Sequence, residues 1–141
     1  MKRTASAVWN GDLKSGKGTV STESTVLSRA QYSFGTRFEN GKGTNPEELI
    51  AAAHAGCFTM ALSGQLGSVG LIPDKLETTA TVSFEKLEAG WTVTQIHLDV
   101  KGKVAKADAA AWEKATTAAK AGCPISRLLN TTITMEAKLE E

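Results

Sequence analysis

The sequence predicts an α+β fold built mainly from antiparallel sheet, and three observations carry that assignment. The expected elements run βββ-α-ββ-α-α-β, without the regular strand–helix–strand alternation that a parallel sheet requires. Residues 76–104 alternate with period two through Ala80, Val82 and Phe84, then Ile96, Leu98 and Val100, around a turn at Glu88-Ala89-Gly90; that is a β-hairpin. Between the strand groups lies one long apolar stretch with a strong helix-start signal. At 141 residues the chain is expected to form a single domain, residues 1–141.

The elements follow in order. Residues 4–9 read as a strand ending at Asn10-Gly11, a hairpin-type turn pair. Residues 17–27, rich in Thr, Val and Ser, and residues 32–38 read as two more strands. Asn45 is then a candidate N-cap, Pro46 suits the first helical position, and Glu48 completes a capping box, which leaves Glu47 free of that duty. The helix continues to Leu66, apolar on nearly every side through Leu49, Ile50, Ala53, Met60, Ala61 and Leu62. Such a pattern predicts a buried central helix. After the hairpin, Asp108 caps a helix over 109–120 closed by Gly122, and a short helix restarts at 124–129. Ile133, Met135, Ala137 and Leu139 alternate as a final strand.

Composition excludes several classes of function. Lys plus Arg number 16 against 15 Asp plus Glu, a net charge of +1, which provides no electrostatic footprint for nucleic acid or an anionic membrane. No stretch is read as reaching the roughly 20 apolar residues of a membrane span, and the N-terminus lacks the apolar run of a signal peptide. These features point to a cytoplasmic protein. In that compartment disulfides are mostly transient, catalytic or redox-sensing. Gly16-Lys17-Gly18 reads as a turn, because it lacks the longer spacing of a phosphate loop. Trp9, Trp91 and Trp112 are too scattered for a stacking platform.

Chemistry is concentrated in the two cysteines, Cys57 and Cys123. Thiols react as thiolates, and a free thiol has a pKa of about 8.5. Cys57 sits mid-helix, so the macrodipole helps it little and an apolar setting opposes its ionisation. It therefore needs a cation. His54 lies one turn back, and Arg37, flanked by Phe34 and Phe38 at the end of an expected strand, precedes the helix. Glu47 could hold the Arg37 guanidinium in a fork. Along one straight helix, however, Glu47 and Cys57 are separated by about 15 Å of rise and about 80° of rotation. One Arg cannot comfortably serve both, so either the helix breaks or the Glu comes from a second subunit, a hint of an intertwined dimer. Cys123 precedes Pro124, at an N-cap where partial positive charge favours a thiolate.

The blocks Trp9-Asn10-Gly11-Asp12, Gly16-Lys17-Gly18-Thr19-Val20-Ser21-Thr22-Glu23-Ser24, Thr36-Arg37-Phe38, Gly43 through Phe58 and Ala119-Lys120-Ala121-Gly122-Cys123-Pro124-Ile125-Ser126 resemble the OsmC/Ohr family of hydroperoxide reductases. They are most similar to its OsmC (osmotically inducible protein) branch, over essentially the full length. The resemblance implies sheets wrapped around long central helices in an intertwined homodimer, with two sites at the subunit interface. It implies Cys57 as the peroxidatic and Cys123 as the resolving cysteine, with Arg37 activating the thiol and Glu47 orienting Arg37. His54 belongs to the OsmC version of the motif and is given no catalytic role. Gly56 stands where Ala is commoner in the family.

The implied reaction reduces organic hydroperoxides to alcohols through a Cys57 sulfenic acid, resolved as a Cys57–Cys123 disulfide. The reductant is an external dithiol or a lipoylated protein, with no metal, flavin or haem. The family name also implies a role in osmotic stress. Phe34, Phe38, Leu49, Ile50, Phe58 and Met60 are expected to give the thiol apolar surroundings suited to an organic tail. Two other readings remain. His54, Cys57 and Cys123 could form a metal-binding or redox-sensing module, although a fourth zinc ligand is not evident. The chain could also be a non-catalytic, redox-switched partner protein that keeps the disulfide but turns over no peroxide.

Overall fold

Strand alternation at 76–104 resolves into the two longest strands of the chain, joined at Gly90. The computed structural model describes residues 1–141, in two compact units, residues 1–49 and 50–141.

In the first unit, β1 (Ala5–Asn10), β2 (Lys17–Thr22) and β3 (Ala30–Tyr32) form an antiparallel sheet in that order. The turn after β1 uses Gly11 at φ 95°, and the Asp12 carboxylate accepts the N–H groups of Lys14 and Ser15, each at 2.9 Å. Gly18 at the middle of β2 lets Trp9 and Tyr32 close over it, their ring centroids 5.5 Å apart. A Cβ at Gly18 would lie 2.5 Å from the Tyr32 ring and 2.6 Å from Trp9.

Two sequence expectations fail in this unit. Strand β2 stops at Thr22 and does not reach Leu27, because the chain folds back there. Thr22 donates its N–H to Leu27 O at 2.8 Å, and its hydroxyl accepts from the Leu27 N–H at 3.1 Å. The expected strand at 32–38 is instead the short helix α1 (Phe34–Phe38). Ser33 Oγ accepts the Thr36 N–H at 3.2 Å, and Thr36 Oγ1 accepts the Ser33 N–H at 2.8 Å. This reciprocal cap outweighs the apolar alternation, and it brings Phe34 and Phe38 together at 4.9 Å between centroids.

Helix α2 (Pro46–Gly67) begins in the first unit and continues unbroken through the second. Asn45 Oδ1 accepts the Glu48 N–H at 2.7 Å, as expected of an N-cap. The reciprocal half of the box is not made as expected: the Glu48 carboxylate accepts from the Thr44 hydroxyl at 2.9 Å.

The second unit contains β4 (Pro73–Leu87), β5 (Gly90–Val104), α3 (Ala109–Gly122), α4 (Pro124–Leu128) and β6 (Thr132–Glu140). Strands β4 and β5 pair antiparallel, whereas β6 pairs parallel to β5, so one of the two pairings in this sheet departs from the antiparallel pattern. The core gathers Phe58, Leu62 and Leu66 from α2, Ile96, Leu98 and Val100 from β5, and Trp112, Ala115 and Ala119 from α3.

The all-round burial expected of α2 does not occur within one chain. His54, Phe58, Leu62 and Leu66, four residues apart, form its buried face. Met60 is 79% exposed, and beyond the helix's own adjacent backbone no atom lies within 4 Å of a Cβ built at Gly56, Gly64 or Gly67. By length and composition α2 also passes for a membrane-crossing helix, contrary to the sequence reading. Its buried face, however, is committed to the core of the second unit.

Gly102 on β5 is where this core is tightest. A Cβ there would lie 2.2 Å from Trp112 Cη2 and 2.5 Å from Cζ3, with Leu76 Cδ2 at 3.0 Å. Trp112 is 4% exposed and has little room to retreat. Gly102→Ala is expected to cost about 1–3 kcal/mol by overpacking. Chemical denaturation at fixed protein concentration measures this as a lower midpoint at unchanged slope.

Candidate active site

Helix α2 places Cys57 beside the core residue Phe58, half-buried. Cys123 occupies the joint between two helices. Its N–H donates to Ala119 O at 2.9 Å, closing α3, and its sulfur accepts the Ser126 N–H at 3.4 Å, opening α4. Pro124 at the first position of α4 has no N–H to leave unpaired, so the chain restarts a helix with no intervening loop. Cys123 is completely buried. Both cysteines are free thiols, and their Sγ atoms stand 3.0 Å apart in a shared hydrogen bond. The bonded distance is about 2.05 Å, so a disulfide requires a shift of only about 1 Å.

Burial pushes the Cys57 thiol above its ordinary value, and the hydrogen bond shared with Cys123 adds to this. Burial opposes ionisation of Cys123 too. There it is outweighed by the Cys57 hydrogen bond, the Ser126 N–H and hydroxyl and the Ile125 N–H, which hold Cys123 below an ordinary thiol. Within the second unit, therefore, the donors favour a thiolate on Cys123, and no cation acts on Cys57. The expected need of Cys57 for a cation stands.

His54 does not supply it. The imidazole is fully buried, burial pushes its pKa down, and its Nε2 lies 2.7 Å from Ser126 Oγ. No three His, Cys, Asp or Glu side chains gather into a cluster that could hold a metal ion. The metal-binding reading of His54, Cys57 and Cys123 thus loses its donor set.

Arg37 and Glu47 meet in the first unit. Arg37 Nε donates to Glu47 Oε1 at 3.0 Å and to Oε2 at 3.3 Å, and Nη2 donates to Oε1 at 2.8 Å. The fork anticipated for this pair forms, with Arg37 presented from the last turn of α1 rather than from a strand end. The guanidinium also lies 5.3 Å from the centroid of the Phe38 ring. Beside it is a cavity of about 260 Å³ lined by Trp9, Leu13, Tyr32, Ser33, Phe34, Arg37 and Phe38.

Of the apolar residues expected around the thiol, Phe34 and Phe38 line this cavity, whereas Phe58 is a core residue and Met60 faces outward. Trp9, Leu13, Tyr32 and Ser126 were not anticipated. Ser126 was legible in principle, since it stands three residues after the capping Cys123, where an N-cap receives its hydrogen bond.

Comparison with known proteins bears on this arrangement. The family model for OsmC-like protein matches residues 39–138. Peroxiredoxin OsmC of Escherichia coli is 52% identical over 134 residues, covering 95% of this chain and 94% of that protein, and Peroxiredoxin OsmC of Shigella flexneri gives the same values. An OsmC-like protein from Mycoplasma pneumoniae superposes with a TM-score of 0.79 at 15% identity, covering 100% of this chain and 99% of that one. The organic hydroperoxide resistance protein OhrB of Bacillus subtilis does so with a TM-score of 0.68 at 24% identity, covering 97% and 98%.

Proposed function

The chain belongs to the OsmC-like protein family and is a thiol-dependent peroxidase, and on that premise we propose that Cys57 is its peroxidatic cysteine and Cys123 its resolving cysteine. The observation that carries the assignment is the 3.0 Å separation of the two free sulfurs. The Cys57 thiolate attacks one oxygen of the peroxide, the O–O bond breaks, and the departing alkoxide takes up a proton and leaves as an alcohol. Cys57 is then a sulfenic acid. Cys123 displaces its hydroxyl as water, forming the disulfide. A dithiol, free or as a lipoyl group on a protein, restores both thiols through a mixed disulfide. The substrate class is organic hydroperoxides, because the cavity beside Arg37 is walled by Trp9, Tyr32, Phe34 and Phe38. The compartment is the cytoplasm, where thiols are kept reduced between turnovers.

Arg37 supplies the positive charge that Cys57 lacks, and Glu47 aims it. An unbroken α2 supports the second of the two ways to reconcile Glu47 with Cys57, a Glu supplied by a second subunit. The catalytic unit is a homodimer in which the Arg37–Glu47 fork of one copy serves Cys57 of the other. The bare face of α2, with Met60 exposed and the small residues Gly56, Gly64 and Gly67 uncovered, is where the second copy packs. A monomer in solution at assay concentration would contradict this.

A steady-state assay comparing an aryl hydroperoxide with hydrogen peroxide, with dithiothreitol as reductant, tests the activity and the substrate class together; kcat/KM for hydrogen peroxide equal to or above that for the aryl compound would refute the class. Cys123→Ser is expected to leave the first oxidation of Cys57 within about threefold of wild type. Its dithiol-driven turnover should fall by about tenfold or more, with sulfenic or sulfinic Cys57 accumulating. Intact-protein mass spectrometry reads this directly as added oxygen in place of two lost hydrogens.

A further inference from the structure

His54 and Ser126 are buried polar groups that the reaction described above leaves without a task. All the atoms concerned lie in the second unit. His54 Nε2 is 2.7 Å from Ser126 Oγ, and His54 Nδ1 is buried with no hydrogen-bond partner. The N–H of Ser126 reaches Cys123 Sγ at 3.4 Å, and its hydroxyl helps to hold that thiol below its ordinary value. A line of polar groups therefore runs from the imidazole through Ser126 to Cys123, and on to Cys57 Sγ at 3.0 Å.

The orphaned nitrogen sets the direction of that chain. A neutral imidazole carries one N–H. Placed on Nδ1, this proton would be a buried donor with no acceptor; placed on Nε2, it leaves only an unused lone pair on Nδ1. The unpaired buried donor is the rarer arrangement, so Nε2–H donates to Ser126 Oγ and the serine proton turns to the sulfur. A relay that charged the imidazole would place an imidazolium in the core, and burial holds this ring neutral at pH 7. His54 fixes a proton and does not carry one.

We infer that His54 and Ser126 form a two-bond donor chain that stabilises the Cys123 thiolate, and so set how fast Cys123 resolves oxidised Cys57 and how readily it leaves when the disulfide is reduced. The inference rests on the assignment of Cys57 as the oxidised and Cys123 as the resolving cysteine. In resolution the thiolate electron pair of Cys123 forms the S–S bond, the S–O bond of Cys57 breaks, and the departing hydroxide combines with the proton Cys123 released to give water. In reduction the same donors receive the negative charge on the departing sulfur. Ser126 touches the reacting atom; His54 is a positioning residue acting through it. The charged side chains on the elements meeting at Cys123 are Glu113, Lys114 and Lys120 of α3, Arg127 of α4 and Glu47 and Glu48 of α2. Cys57 is the titratable group that acts on the Cys123 sulfur.

Titration of Cys123 by ultraviolet thiolate absorbance in a Cys57→Ser background isolates the donor chain. Ser126→Ala is expected to raise the midpoint by about one unit or more, the scale of a hydrogen bond to a charged group. His54→Leu should raise it in the same direction by less. Ser126→Thr and His54→Gln, which retain the donors, should keep it near the parent value. With Cys57 present, rapid mixing with cumene hydroperoxide should show disulfide formation slowed about tenfold in Ser126→Ala at pH 7. The preceding oxidation of Cys57 should not slow. Unchanged midpoints in both Ser126→Ala and His54→Leu, or disulfide formation at the wild-type rate, would overturn the inference. If Cys57 itself failed to react with hydroperoxide, the peroxidase assignment would fall, and the titration would still decide the donor chain by itself.

Discussion

Cys57→Ser removes hydroperoxide turnover to the level of the buffer with dithiol, a fall of about 10³-fold or more. A serine hydroxyl at neutral pH is a far weaker nucleophile than a thiolate, and no base stands ready to activate it. The one nearby imidazole, His54, is committed to Ser126. Cys123 cannot substitute, because it is completely buried. The change from sulfur to oxygen barely alters volume, so fold and oligomeric state should be retained; circular dichroism and gel filtration verify that before the rate is read. A variant that still turned over at a substantial fraction of the wild-type rate would move the chemistry to another group.

Arg37→Ala carries the second large effect, a fall in kcat/KM of about 10²–10⁴ at pH 7. Two contributions add. The first is ionisation: burial and the Cys123 hydrogen bond raise the Cys57 pKa, so without a cation the thiol is mostly protonated at neutral pH. Each unit of upward shift costs about tenfold in thiolate below the midpoint. This part is recovered as pH rises, so the rising limb of the pH–rate profile should move to higher pH. The second is stabilisation of the charge developing on the departing oxygen, which a high pH does not restore. A residual deficit on the alkaline plateau measures it. Arg37→Lys should recover part of the first contribution and little of the second, because an ammonium cannot keep the forked contact with Glu47. A profile whose limb stayed in place would remove Arg37 from the ionisation of Cys57.

Much of this molecule was legible in its sequence because local signals there agree with tertiary demand. Period-two alternation found the β4–β5 hairpin, Asn45 and Pro46 fixed the start of α2, and Asp108 and Gly122 bounded α3. The failures have specific causes. Tyr32, Phe34 and Phe38 alternate like a strand, but the Ser33–Thr36 cap, worth more than a weak propensity, turns them into a helix. Parallel pairing of β6 with β5 leaves no mark on periodicity, since either direction buries alternate residues. The all-round apolarity of α2 predicts a buried helix, yet one chain covers only the His54–Leu66 face. The pairing of Arg37 with Glu47 followed from charge and proximity in sequence. The Trp9–Tyr32 wall did not, because it depends on strand register across Gly18.

Peptide mapping by mass spectrometry after one equivalent of cumene hydroperoxide, added to the reduced enzyme without dithiol, probes the pairing of the two sulfurs most directly. The structure calls for loss of both thiols and a single cross-linked pair joining the peptides of Cys57 and Cys123. Excess dithiothreitol should reverse that link, and further peroxide should form it again. Two thiols left intact after exposure, or Cys57 oxidised while Cys123 stays permanently free in the wild-type protein, would contradict it.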